Sequence, residues 1–122
     1  MAEMAILIPV LMLLTIGAIE MGRGVWTKHM LSHAAREAVR YASVRSNTSD
    51  DPATAAKVEA RAKAAAVGLD TSSLTVATTW SPSNQQGGSV RVHVTYAFHP
   101  VTPLIPFDTI QLASNSQSII AY

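Results

Sequence analysis

Three side chains with metal-binding chemistry, His29, His33 and Glu37, recur four residues apart. On a helix that spacing puts them on one face, where they could offer three ligands to a divalent cation. A zinc peptidase motif sets a glutamate directly after its first histidine, and Met30 stands there instead. The residues therefore favour a polar stripe facing water, and no metal or cofactor is expected. Serines are plentiful, but no Gly-x-Ser-x-Gly elbow surrounds any of them. The chain has no cysteine, so a thiolate nucleophile, a thiolate zinc site and a disulfide framework are all excluded. No glycine loop of the phosphate-binding kind is present either. His93 and His99 share a strand face with Arg91 and read as surface groups. Nothing here makes a catalytic set, and an enzyme is not expected. Two carboxylates stand out by position alone, Glu3 and Glu20, because they bracket the most apolar stretch of the chain.

The elements that carry these groups follow from length and composition. With 122 residues there is room for one domain and one non-globular segment. Nine basic residues against eight acidic ones exclude a nucleic-acid binder that neutralises a run of phosphates. Only 14% of the residues are charged, well below the roughly 25% of ordinary soluble domains. Mean hydropathy is +0.22, and the apolar excess sits at the front. Between Met4 and Ile19 no side chain ionises. As a helix this run extends ~24 Å at 1.5 Å per residue, a short span for a bilayer core ~30 Å thick. A secretory signal would carry a basic start, where Glu3 stands here. A buried core helix would need more surrounding protein than the remaining residues supply. A membrane anchor or a filament core is the reading left.

No proline interrupts Gly22 to Arg45, and the pattern turns one-sided there. Val25, Met30 or His29, Ala34, Val39 or Ala38, Ala42 and Val44 form the expected buried stripe, with Lys28, Arg36, Glu37, Arg40 and Arg45 facing elsewhere. Asn47-Thr48-Ser49, also a glycosylation sequon, is expected to end a rod running from Met1 to Ser46, about 70 Å long. Asp51 reads as an N-cap and Pro52 as the first residue of a helix over 52–67, with Gly68 at its left-handed end. Val58, Ala62, Ala65 and Ala66 give that helix a thin apolar face. Strands are expected at 74–80, 90–98 and 110–121, the second being the clearest, and the third weak at Ser114-Asn115-Ser116. The prolines at 100, 103 and 106 forbid regular structure between the last two. Trp26 stands where an interfacial aromatic belongs, and Trp80 could serve the core or a subunit contact. The fold class is α+β: a long N-terminal helix against a small head of one short helix and about three antiparallel strands. Residues 1–22 form the apolar segment, 23–46 its amphipathic continuation, and 47–122 the head.

The N-terminal third resembles the TadE-like family of pilin-related proteins of tight-adherence pilus systems. The resemblance rests on Glu3 with Pro9 six positions on, then Gly17-Ala-Ile-Glu20-Met-Gly22-Arg23, then Ala34-Ala-Arg36-Glu37-Ala-Val-Arg40-Tyr41-Ala42. Ala38-Val39 replaces the family's Gly-Ala pair. Glu3 also lies nearer the first residue than the fifth position usual in a processed pilin-like chain. The resemblance implies cleavage by a prepilin peptidase, an N-terminal amine free or methylated, and an assembly ATPase and platform that do the work of polymerisation. It implies an inner-membrane pool before assembly and a pilus at the cell surface afterwards. Glu3, Pro9, Gly17, Glu20 and Arg23 become the expected filament-core residues. Glu3 would pair with a neighbour's amine, Pro9 and Gly17 would let the rod loosen, and Glu20 would pair with Arg23. Two roles stay open: a structural subunit that polymerises with itself for adhesion, and a minor membrane-anchored pseudopilin that primes or caps a pilus of another pilin. A membrane-tethered binding or enzymatic domain is a third reading, with no site to support it.

Overall fold

The computed structural model describes residues 1–98 and 110–121. Helix α1 (Ala2–Ser43) runs without a break through Pro9 and Gly17 and is about 63 Å long at 1.5 Å per residue. Helix α2 (Ala55–Ala65) follows, then a turn of 3₁₀ helix (Thr71–Ser73) and strands β1 (Leu74–Ser81), β2 (Ser89–Phe98) and β3 (Ile110–Ile119). The strands form one antiparallel meander in the order β1-β2-β3. This is the α+β, pilin-like architecture expected.

Alternation decides which side of the sheet meets α1. Val90, Val92 and Val94 are fully buried, while Arg91 and His93 face water. Leu74, Val76, Thr78 and Trp80 take the same inner side on β1. In β3 the polar stretch pairs regularly, with Ser114 opposite Val94 and Ser116 opposite Val92. Its serines turn inward because the helix beneath is close, and Ser32 Oγ lies 3.0 Å from Ser114 Oγ. Ala34, Ala35, Ala38 and Ala42 are fully buried, and such small side chains let strands lie near the helix axis. The expected stripe holds at Ala34, Ala38, Val39 and Ala42 but not at its two ends. Val25 and Val44 are exposed, whereas Thr27 and Leu31 are buried, since the sheet rather than the apolar count selects the face.

Both helix boundaries in the head differ from the sequence pattern for one reason: tertiary partners claim the backbone groups. Helix α1 stops at Ser43, three residues early, before the Asn47-Thr48-Ser49 turn. The Ser43 carbonyl accepts from Ala121 N–H at 2.8 Å, and the Arg45 carbonyl accepts from Ala53 N–H at 3.1 Å and Asn84 Nδ2 at 3.2 Å. Those bonds satisfy carbonyls that a helix end leaves unpaired. Because Ala53 N–H points back to Arg45, α2 starts later, with Thr54 as N-cap accepting from Lys57 N–H at 3.3 Å. Asp51 and Pro52 therefore lie ahead of the helix, and Asp51 caps nothing. It pairs with Lys57 and, at 3.9 Å, with Arg45. Helix α2 also ends at Ala65 with Ala66 as C-cap, two residues short of the expected 67, so Gly68 lies beyond the cap; it does adopt φ +83°, with the Trp26 ring packed over it. The stretch from His99 to Pro106 and Tyr122 lies outside the described residues.

Candidate assembly surface

Among the described residues the rod is the longest stretch of exposed apolar side chains. Along residues 4–19 the big apolar side chains face outward on all sides, with Ile6, Leu11 and Leu14 about two-thirds exposed. By length and composition α1 contains the one helix among the described residues able to cross a membrane, and its most apolar window is 6% buried. A contiguous apolar surface of that size is not stable in water and requires lipid or other helices. Glu3 is exposed in the first turn, where the positive end of the helix dipole favours a carboxylate. Pro9 costs one backbone hydrogen bond, yet the helix continues across it. Thr15 Oγ1 donates to Leu11 O at 2.9 Å and so buries its own polarity within the rod. At Gly17 an added Cβ would meet nothing within 4 Å, so the backbone there is open to close approach.

Where the rod meets the head, Glu20 and Arg23 form the ion pair that their spacing suggested, with Arg23 Nη1 2.9 Å from Glu20 Oε2. Glu20 is only 8% exposed although the residues on either side of it face outward. Phe98, the last residue of β2, lies under the guanidinium of Arg23 at 4.9 Å from ring centroid to Cζ. Phe98 and Leu112 line, together with Gly17, Met21, Gly24 and Val25, an apolar groove of about 510 Å³. The alternation from Val90 puts Phe98 on the inner strand face, but nothing in the sequence marks its place beneath Arg23. A strand's end can be matched to a helix position only once the sheet has docked.

The second expected cluster, Ala34, Arg36, Glu37, Arg40 and Tyr41, divides between two sides of α1. Ala34 is core; Arg36 and Arg40 are exposed; Glu37 and Tyr41 are half-buried. Arg40 Nη1 stands 3.7 Å from Glu37 Oε1. Tyr41 is covered by Arg45, whose Cζ is 4.1 Å from the ring centroid, and more loosely by Arg61 at 5.9 Å. Arg45 and Arg61 had no assigned role in the sequence, because each reaches Tyr41 from a different element. Nearby, a hydrogen bond from Lys57, reinforced by its charge, holds the Asp51 carboxyl below the usual carboxylate value; the same bond raises Lys57. His29 and His33 face water, and among the described residues no three His, Asp or Glu side chains converge on a metal-sized space.

Three surfaces stand out: a bare apolar rod, a part-exposed ion pair where the rod enters the head, and a charged outer helix face. Neither curated proteins nor solved structures yield a match. The model of one family, described as TadE-like protein, matches residues 1–40, which include the rod, the Glu20–Arg23 junction and most of the second cluster. Over that N-terminal third the chain is similar to TadE-like proteins, and the same stretch holds a candidate membrane-spanning helix.

Proposed function

We propose that this chain is a structural, pilin-like subunit that waits in the inner membrane and polymerises through residues 1–22 into a Tad-like pilus used for surface attachment. The observation that carries the reading is the mismatch between the two halves of α1. One face of residues 27–43 is covered by the chain's own head, while among the described residues the large apolar side chains of 4–19 other than Ile16 stand exposed. Moving such a helix from lipid into a bundle of like helices gains little hydrophobic energy, because both surroundings are apolar. Close packing at Gly17, charge pairing at Glu3 and external work must then favour the assembled state. Glu3 in hydrocarbon costs several kcal/mol on insertion scales. A neighbour's terminal amine would neutralise it and set the stagger between subunits. Leader cleavage by a prepilin peptidase and extrusion by an ATPase and platform complete the scheme, as the family resemblance implies.

The test is electron microscopy of sheared surface material, with quantitative mass spectrometry of its subunits. Rods composed mainly of this chain are the expected result. A chain that fractionates with membranes at a small fraction of another pilin would instead identify a priming or capping pseudopilin. An active monomer after deletion of residues 1–22 would refute both roles. Mass spectrometry of the native N-terminus reads processing directly, and an intact formyl-methionine would contradict the scheme.

A further inference from the structure

The outer side of α1 and the adjoining edge of α2 carry a feature that neither the core nor the rod uses. Arg40, Arg45 and Arg61 share one depression of about 350 Å³ with Glu37, Tyr41 and Val44. Arg45 and Arg61 both contact the Tyr41 ring, and a guanidinium held through its face keeps its in-plane N–H donors available. Arg45 spends one donor, Nη1, on the Tyr41 carbonyl at 3.2 Å, and the carboxylates near this cluster leave the other guanidinium donors unspent. Glu37 is 3.7 Å from Arg40 and Asp51 is 3.9 Å from Arg45, beyond the 2.7–2.9 Å of a charge-assisted hydrogen bond. Asp51 is moreover engaged by Lys57. Among the described residues Arg61 has no carboxylate partner. Three cations gathered around one ring leave an excess of positive charge that an anion would offset.

Size and lining narrow the class of anion. A bare phosphate would fill a small part of this space, which is near the lower bound of small-molecule sites, about 300 Å³, and can hold one sugar ring. The arginines supply donors, Glu37 an acceptor, and Val44 with the Tyr41 edge an apolar contact. That set matches a carboxylate, hydroxyls and the C–H face of a sugar. Anionic lipid headgroups are a poor match by position. Arg40 lies about 30 Å along the helix from Ile19, several Debye lengths at physiological salt. We propose that the Tyr41 pocket binds a carboxylated sugar, a uronic acid unit of an acidic polysaccharide, with its carboxylate on Arg61 and Arg45 and a hydroxyl donating to Glu37. This goes beyond the filament reading and does not depend on polymerisation.

The full chain in detergent micelles is titrated with oligogalacturonate, with a neutral glucose oligomer of equal length and with inorganic phosphate, followed by calorimetry and NMR. Expected are saturable binding of the uronate alone, shifts centred on Tyr41, and weakening as salt is raised. Arg61→Gln should lower affinity about tenfold, the loss of one charge-assisted contact, and Arg61→Lys, which keeps charge but not the fork, should fall between. An unchanged melting temperature shows that Arg61→Gln is folded, and electron microscopy scores filament formation separately. Equal binding of the neutral oligomer, equal binding of phosphate, no uronate binding, or an indifferent Arg61→Gln overturns the proposal. Loss of filaments with uronate binding intact counts only against the assembly reading.

Discussion

Truncating two leucines of the same helix, Leu31→Ala and Leu11→Ala, separates its two halves. Leu31 is fully buried among Ala34, Ala35, Val92 and their neighbours in the core. Its truncation removes three carbons, worth about 2.4 kcal/mol at ~0.8 kcal/mol each, and leaves a cavity that adds to the cost. A loss of about 3 kcal/mol is expected. A single core of this size supplies only ~3–5 kcal/mol, so a head of 4 would retain about 1, a folded-to-unfolded ratio near five. Leu11 is 65% exposed, and its truncation should leave head stability within about 0.5 kcal/mol. Its effect belongs to assembly instead. Both variants are unfolded by denaturant in the full chain held in non-ionic detergent, with tryptophan fluorescence reporting on Trp80 in the sheet and Trp26 beside Gly68. A Leu31→Ala loss below 1 kcal/mol, or a Leu11→Ala loss above 1, would refute the division of α1 into a self-covered half and a bare half.

Gly68→Ala should destabilise by roughly 1–2 kcal/mol in the same assay, because φ is +83° there and the new Cβ would come within 2.8 Å of the Trp26 ring. Arg23→Ala should cost about 1–2 kcal/mol and exceed Glu20→Ala, since Glu20 is the buried partner at 8% exposure and Arg23 is 41% exposed. Equal losses measured by thermal unfolding would contradict that asymmetry. For Asp51, whose carboxyl titrates below its ordinary 3.8, the pair with Lys57 stabilises the head above that value and loses this contribution as pH falls through the lower folded value. Lys57, raised above its ordinary 10.5, contributes below 10.5 and loses its part as pH climbs past the higher folded value. Carbon-detected titration of Asp51 in Lys57→Ala should show its midpoint moving back up; an unmoved midpoint would remove Lys57 as the cause.

Period and polarity made most of the architecture legible in the residues. The uncharged run from Met4 to Ile19, the alternation from Val90 to Phe98 and the left-handed turn at Gly68 are local signals, and local physics reads them. The Glu20–Arg23 pair was equally legible, since a spacing of three on a helix fixes the contact before any fold exists. What failed lay at junctions. Asp51-Pro52 is a sound helix start in isolation, but the Arg45 carbonyl takes the Ala53 N–H first, and the cap passes to Thr54. Ser114 and Ser116 weaken a strand by propensity, yet here they are what fits between Val94, Val92 and a helix of alanines.

By itself, then, the sequence determined that one end of α1 must be surrounded by something apolar, because no arrangement of a hundred polar-leaning residues could cover it. Only the tertiary structure decided which face of the other end lies under the sheet, where Phe98 comes to rest, and how Arg45 and Arg61 meet over Tyr41. Those contacts join residues that are distant along the chain, and the docking of sheet on helix sets such distances where periodicity cannot.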